Sequence, residues 1–230
     1  MKFSIIVPCY NEEKYILEVL KKIQIQKNKY DIEIIVVDDC STDNSTTILK
    51  NNYNLYDRLI INDVNGGKGN SIKKAVNYVT GDITLVQDAD LEYDPNDYNL
   101  LFSPFFDNDA DVVFGTRFNN GKKARVFYFT HKIANFFITI LVNCLTNINF
   151  SDVETGFKAI KTTYLKKLKL KENSFAIEIE IAMKLSKIEN IKIYEVGISY
   201  SGRTYAEGKK IKFIDAFIAL IAIFKYKFLN

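Results

Sequence analysis

The feature that most limits how this chain can fold is the alternation, over its first half, of short β-branched runs with segments of helical period. FSIIV (3–7), EIIVVD (33–38), RLII (58–61), DITLVQ (82–87) and DVVFG (111–115) are short, apolar and rich in Ile and Val, the composition of buried strands. Between the first two, Tyr15, Ile16, Val19, Leu20 and Ile23 fall on one face of a predicted helix over 13–26. Near-continuous apolar strands separated by helices predict an α/β fold, a Rossmann-like and mostly parallel sheet flanked by helices on both sides. Sheets of this kind bind ligands outside the carboxyl ends of their strands.

The polar clusters of the sequence fall at those ends. Pro8-Cys9-Tyr10-Asn11-Glu12-Glu13 follows the first strand and Asp38-Asp39-Cys40-Ser41-Thr42-Asp43 the second. Asn65-Gly66-Gly67-Lys68-Gly69 follows the third and Asp88-Ala89-Asp90 the fourth, so four polar loops are expected along one edge. Asp88 and Asp90, one residue apart at a strand tip, are hard oxygen donors suited to Mg²⁺ or Mn²⁺, with Glu92 in reach as a third. Read alone, Asp-x-Asp is also an ordinary turn or cap. Ser41, Thr42 and Asp43 are well placed to cap the next helix, which leaves Asp38 and, more so, Asp39 for a base or ribose. The Gly66-Gly67-Lys68-Gly69 turn lacks the Gly-x4-Gly-Lys-Ser/Thr spacing of a triphosphate loop, and no Gly-x-Gly-x-x-Gly follows the first strand. Lys68 could nonetheless neutralise a diphosphate at the start of a helix.

Composition narrows the class further. With 47% hydrophobic residues, the 230-residue chain is built for a packed core rather than for disorder. Three widely separated cysteines suggest neither a disulfide framework nor a paired-cysteine zinc site. The chain enters a strand directly after Met1-Lys2, without an apolar leader, which predicts a cytosolic location. The net charge of +3 hides an asymmetry: residues 1–115 hold 11 Lys and Arg against 19 Asp and Glu (−8), and residues 116–230 hold 20 against 9 (+11). An acidic half suits divalent cations, and a basic half suits phosphates or anionic lipid. The lysines are scattered and accompany no nucleic-acid-binding signature, so no nucleic acid partner is expected. No repeat or Pro/Gly-rich linker divides the chain, and one domain over 1–230 is predicted.

Two apolar helices stand out in the second half, 126–146 and 211–228. Lys132, Asn135 and Asn143 interrupt the first, and Asp215, Lys225 and Lys227 lie in the second. Neither offers about 18 uninterrupted apolar residues, so neither is predicted to span a bilayer. Each either lies amphipathically in the membrane interface, helped by Lys122, Lys123, Arg125, Lys225 and Lys227, or packs into the core.

The motifs together resemble family 2 glycosyltransferases of the GT-A fold. The resemblance rests on the order Pro8-x-Tyr10-Asn11-Glu12, Asp38-Asp39-x-Ser41-x-Asp43, Gly66-Gly67-Lys68-Gly69 and Asp88-Ala89-Asp90. Gly115-Thr116-Arg117, Asp152-x-x-Thr155-Gly156-Phe157 and Arg203-x-x-x-Glu207-Gly208-Lys209-Lys210 are similar to the branch containing dolichyl-phosphate mannose synthase and bacterial polyprenyl-phosphate glycosyltransferases. The resemblance implies a nucleotide-sugar half over 1–115 and an acceptor half over 116–230. Pro8, Tyr10, Glu12 and Asp39 would hold base and ribose, with Lys68, Arg203 and Lys209 toward the diphosphate. Asp88, Ala89 and Asp90 would hold diphosphate and metal, with Glu92 where relatives often carry Gln. Arg117 and Lys132 would meet an acceptor phosphate. Asp90, Arg117 and Arg203 thus take the catalytic duties, joined by Asp152 if a general base is required; a structural cap before a strand at 156–160 is the other reading of Asp152. Glu178 and Glu180 match acidic positions of the branch or are simple helix-surface charge. His131, the only histidine, could titrate near neutrality.

What this implies is inverting, metal-dependent transfer of a hexose, mannose or glucose, from a nucleoside-diphosphate sugar to a polyisoprenyl phosphate. A phosphate monoester is already anionic at neutral pH and needs no strong base. A hydroxyl acceptor would need one within hydrogen-bond reach. The lipid acceptor implies a peripheral position at the cytosolic face of a membrane, through the two helices or through a separate anchoring protein. A soluble transferase acting on a saccharide hydroxyl in surface-polysaccharide synthesis is the alternative. A sugar-phosphate nucleotidyltransferase fits less well, since it opens with a Gly-rich loop where this chain has Pro8-Cys9-Tyr10-Asn11-Glu12. The set Asp88, Asp90, Arg117, Arg203 and Lys209 speaks against a silent nucleotide-binding module. The loop 199–210, bracketed by Gly202 and Gly208, is expected to order over the donor.

Overall fold

A computed structural model describes residues 1–118, 124–126, 128–210 and 213–229. In chain order the strands are β1 (Lys2–Cys9), β2 (Asp31–Asp38), β3 (Arg58–Ile61), β4 (Ile83–Val86), β5 (Val112–Thr116), β6 (Lys158–Lys161) and β7 (Ile193–Gly197). The helices are α1 (Ile16–Gln26), α2 (Ser45–Asn51), α3 (Lys68–Val76), α4 (Tyr98–Asp107), α5 (Phe129–Thr146), α6 (Thr162–Lys167), α7 (Ile177–Leu185) and α8 (Phe213–Phe228). All five predicted strands of the first half form, and together with β6 and β7 they make one seven-stranded sheet in the order β3-β2-β1-β4-β6-β5-β7.

The sheet is parallel except at β6, which runs antiparallel to β4 and β5. Period-two alternation sorts the strand side chains to two faces. Ile5, Val7, Ile34, Val36 and Val113 pack with α1 and α4 residues such as Leu20 and Phe102. Ile6, Ile35, Val37, Val112 and Phe114 pack on the other face with Ile72, Ile177, Ile181 and Ile223 from α3, α7 and α8. Each fully buried Ile, Val or Phe contributes roughly 1.5–3 kcal/mol. Both faces are therefore covered, as the unbroken apolar runs require.

The antiparallel insertion positions the site. Ala159 lies opposite Leu85 and Lys161 opposite Ile83, so the residues just before β6 are delivered to the carboxyl ends of β4 and β5. The 152–157 motif therefore arrives beside Asp88. β7 pairs with β5 alone and carries the chain to 198–203, where Ser201 N–H donates to Glu92 O at 2.9 Å. Only partly buried as an edge strand, β7 shows a weaker apolar signal than the central strands.

The two apolar helices are half core and half surface. On α5, Asn135, Ile138, Thr139 and Val142 are buried, whereas Phe129 (74% exposed), Phe136 (58%) and Phe137 (64%) face outward. On α8, Ala219, Ala222, Ile223 and Tyr226 are buried while Phe217, Ile221, Phe224 and Phe228 are exposed. By length and composition α5 would suffice to cross a membrane, although one of its faces is packed against the protein. Each helix packs one face into the core and leaves an apolar face exposed. The basic residues expected to assist are largely engaged: Arg125 pairs with Glu207 at 2.8 Å, Lys225 with Glu172 at 2.7 Å, and Lys227 Nζ donates to Leu145 O at 2.5 Å. Lys122 and Lys123 lie outside the described residues, as do 127, 211 and 212 of the two predicted helices.

Candidate active site

The loops after β1, β2 and β4 each turn through a non-glycine residue in the left-handed region, Asn11 (φ 50°), Cys40 (φ 60°) and Leu91 (φ 61°). Such residues cost free energy and persist where their surroundings over-determine them. Here the first two loops are laced together. Asn11 N–H donates to Ser41 Oγ at 2.9 Å, Thr42 N–H to Asn11 Oδ1 at 2.8 Å, and Glu12 N–H to Ser45 Oγ at 2.8 Å. Asp43 accepts from the backbone of both Glu13 and Ser45. Asp38 is fully buried and bound by the hydroxyls of Ser41 (2.5 Å) and Thr46. Asp39 accepts from Asn62 Nδ2 at 2.5 Å, Gly66 N–H at 3.0 Å and Gly67 N–H at 2.6 Å. It thereby fixes the turn that opens α3, in which Gly67 has φ +87° and lies too close to Asn173 O for a Cβ.

Acidic side chains converge where β1 and β4 end. Arg203 reaches into them, donating Nη1 to Glu12 Oε2 at 2.9 Å, Nη2 to Glu12 Oε1 at 3.0 Å and Nη2 to Asp90 Oδ2 at 2.9 Å. Lys210 joins Glu12 at 2.5 Å. Glu92 accepts Arg203 N–H at 2.8 Å and the Tyr200 hydroxyl at 2.7 Å, so it tethers the 199–203 segment. Lys68 bridges Asp88 at 2.7 Å and Glu178 at 3.0 Å, and Lys158 meets Glu178 at 2.6 Å. Burial, followed by the charges of Asp88 and Glu92, pushes the Asp90 carboxyl above the usual carboxylate range despite Arg203. The carboxylates of Asp88, Asp90 and Glu92 are hard oxygen donors of the kind a divalent ion takes. Among the described residues no three acidic, His or Cys side chains stand at metal-binding spacing. Asp88 and Asp90 pair with Lys68 and Arg203.

The other end is organised by Arg117. Its Nε donates to Asp152 Oδ2 at 2.6 Å and its Nη2 to Oδ1 at 2.7 Å, a two-pronged pair with Asp152 fully buried. The guanidinium also lies 5.3 Å over the Tyr200 ring. Asn135 of α5 donates to Asp152 Oδ1 at 3.0 Å and to Glu154 Oε2 at 3.1 Å. Gly156 N–H donates to the Tyr93 hydroxyl at 2.8 Å, and a Cβ at Gly156 would fall 2.7 Å from Asp88 Oδ2.

One cavity of about 850 Å³ connects the two ends. It brings together every site residue predicted from the sequence except Lys132, which is exposed on α5, and Asp152, which lies behind Arg117. Glu178 and Glu180 are buried, not helix-surface charge; Glu180 accepts the backbone N–H groups of Lys171 and Glu172 and pairs with Lys184. His131 lines the cavity and its Nε2 is 3.0 Å from the Tyr205 hydroxyl, linking α5 to the 199–210 loop. Burial and then Lys209 pull its pKa below the ordinary value. Sequence reasoning passed over Glu154, Tyr93, Tyr200 and Asn135. Glu154 occupies an unspecified position of its motif, and the others read as ordinary apolar or helix positions.

The sequence profile described as "Glycosyl transferase family 2" matches residues 4–169. The dolichol-phosphate mannosyltransferase of Pyrococcus furiosus is 27% identical over 217 residues, covering 92% of this chain and 61% of that protein. The UDP-N-acetylglucosamine–dolichyl-phosphate N-acetylglucosaminyltransferase of Methanococcus voltae is 28% identical over 230 residues, covering 90% and 89%. Among solved structures, glucosyl-3-phosphoglycerate synthase from Mycobacterium tuberculosis, in complex with Mn²⁺, UDP-glucose and phosphoglyceric acid, superposes with a TM-score of 0.76. That structure is 16% identical and covers all of this chain and 80% of its own, a likeness of fold that matches the GT-A architecture.

Proposed function

Because the chain belongs to glycosyl transferase family 2, and is on that ground a sugar-transferring enzyme, we propose that it moves a hexose from a nucleoside-diphosphate sugar to a polyisoprenyl phosphate. The observation that carries this reading is the cavity that joins an acidic end to an arginine end and is lined also by α5 and α8. The names of the two dolichyl-phosphate relatives support the acceptor class.

Pro8 and Tyr10 line the nucleotide end, with Asp39 holding the turn ahead of α3. Asp88 and Asp90, with Glu92 beside them, would hold Mg²⁺ or Mn²⁺, and the ion when bound would offset the charge that builds on the leaving nucleotide. Lys68 and Arg203, paired with Asp88 and Asp90, are the cations that would stand beside the diphosphate. Lys209 is carried on the same loop as Arg203. Arg117, held by Asp152, presents a fixed guanidinium to the acceptor phosphate. Asp152 acts as a positioning residue, since both of its oxygens are engaged. An anionic acceptor attacks the anomeric carbon directly, and one displacement inverts its configuration.

The acceptor's chain reaches the cavity from a membrane. Each methylene kept out of water is worth about 0.8 kcal/mol, so the enzyme goes to the lipid. The exposed phenylalanines of α5 and α8 are the surface that would meet it, which supports a peripheral position at the cytosolic leaflet. The test is transfer from GDP- and UDP-sugars, with Mn²⁺, to a prenyl phosphate and to a free saccharide, with NMR of the anomeric proton. A prenyl-phosphate product of inverted configuration is expected. Transfer to the saccharide alone rejects the lipid acceptor, and retained configuration rejects the single displacement.

A further inference from the structure

Glu154 lines the cavity and has no task in the proposed reaction. Its orientation is fixed: Asn135 Nδ2, itself anchored on Asp152, donates to Oε2 at 3.1 Å. That donation makes Oε2 the carbonyl-like oxygen, so a proton on this acid resides on Oε1, which has no partner among the described residues.

The charges around it argue for such a proton. The groups facing Glu154 are Arg117 at the end of β5, Asp152 in the loop before β6, Lys158 on β6 and the neutral Asn135 of α5. Arg117 is matched by Asp152, and Lys158 and Lys68 by Glu178 and Asp88, so these six charges sum to zero. An ionised Glu154 would leave this end with one uncompensated negative charge, hostile to a phosphate. With its proton, the same side chain is neutral and a donor. Burial acts in that direction, raising its pKa above the ordinary value, while Arg117 opposes.

We propose that Glu154 reads the acceptor, donating a hydrogen bond from its Oε1–H to a phosphate oxygen beside Arg117. The residue is specificity-determining: it favours a phosphate as long as it is neutral and repels one once ionised. This rests on the phosphate-acceptor reading above and adds a residue to it.

The experiment is calorimetric titration of the full-length protein with farnesyl phosphate and with farnesol, over a pH series from mildly acidic to alkaline, for the wild type, Glu154→Gln and Glu154→Leu. Gln donates at every pH, so comparing wild type with Glu154→Gln removes the phosphate's own titration. The two should bind farnesyl phosphate alike at the acid end of the series, and the variant should bind roughly 10-fold tighter once Glu154 ionises, the scale of one like-charge contact. Glu154→Leu, lacking a donor, should bind more weakly than wild type at the acid end. Glu154→Leu binding as tightly as wild type there, or a wild-type-to-Gln ratio that never changes across the series, overturns the assignment while leaving the phosphate acceptor standing. Equal wild-type affinity for farnesol and farnesyl phosphate overturns the phosphate reading itself and this proposal with it.

Discussion

Replacing Phe136 and Phe137 together with Ser should detach the protein from lipid without unfolding it. The two side chains are 58% and 64% exposed on the outer face of α5, so little native packing is lost. A fully buried Phe is worth up to about 3 kcal/mol, and the exposed fraction leaves roughly 1–2 kcal/mol per ring to be gained by entering a bilayer. Interfacial insertion is partial, so the pair should contribute about 2 kcal/mol, equivalent to roughly a 30-fold fall in partition coefficient. Co-sedimentation with anionic vesicles measures the partition, and a melting curve checks the fold. Since Arg125 and Lys225 are committed to Glu207 and Glu172, raising the salt should weaken binding far less than the double substitution does. Unchanged vesicle binding by the variant, with unchanged melting, would refute the role given to this face.

Other consequences follow from single contacts. Asp152→Asn breaks a two-pronged pair whose partners are 0% and 9% exposed, and should cost about 3–5 kcal/mol, lowering Tm by roughly 10 °C, with a higher acceptor KM in the folded fraction. Gly156→Ala sets a methyl 2.7 Å from Asp88 Oδ2, and should lower kcat by roughly 100-fold through displacement of that carboxylate while melting changes little. Burial alone would raise the Glu33 pKa, but hydrogen bonds from Ser4, Thr80 and Lys2 outweigh it and hold the group at about 2. A depressed carboxylate stabilises the fold above its unfolded pKa near 4.5 and loses that contribution as pH falls toward 2. The Tm gap between wild type and Glu33→Gln should therefore be full at pH 6 and close between pH 4.5 and 2.

The strands and the loops that carry the donor site were legible because each is a local signal: a β-branched run followed by a polar cluster. What sequence could not show is pairing across distance. Asp39, expected at a ribose, lines the cavity, and its oxygens also hold Gly66 and Gly67, 27 and 28 residues away. Asp152 read equally as a base or a cap, and its partner Arg117 lies 35 residues upstream. Glu180 looked like surface charge because helical period does not report which face a neighbour covers. The same ambiguity left α5 undecided between core and interface; one of its faces packs into the core and the other is exposed. Glu154 gave no signal beyond its residue type.

The account depends most on Asp90 as the anchor for a cation that takes up charge from the departing nucleotide. Mn²⁺-dependent sugar transfer by Asp90→Asn, measured beside the wild type on protein of confirmed melting temperature, tests this directly. A fall in kcat of roughly 100-fold or more is predicted, together with loss of the Mn²⁺ response. Full Mn²⁺-stimulated transfer by the variant would contradict it.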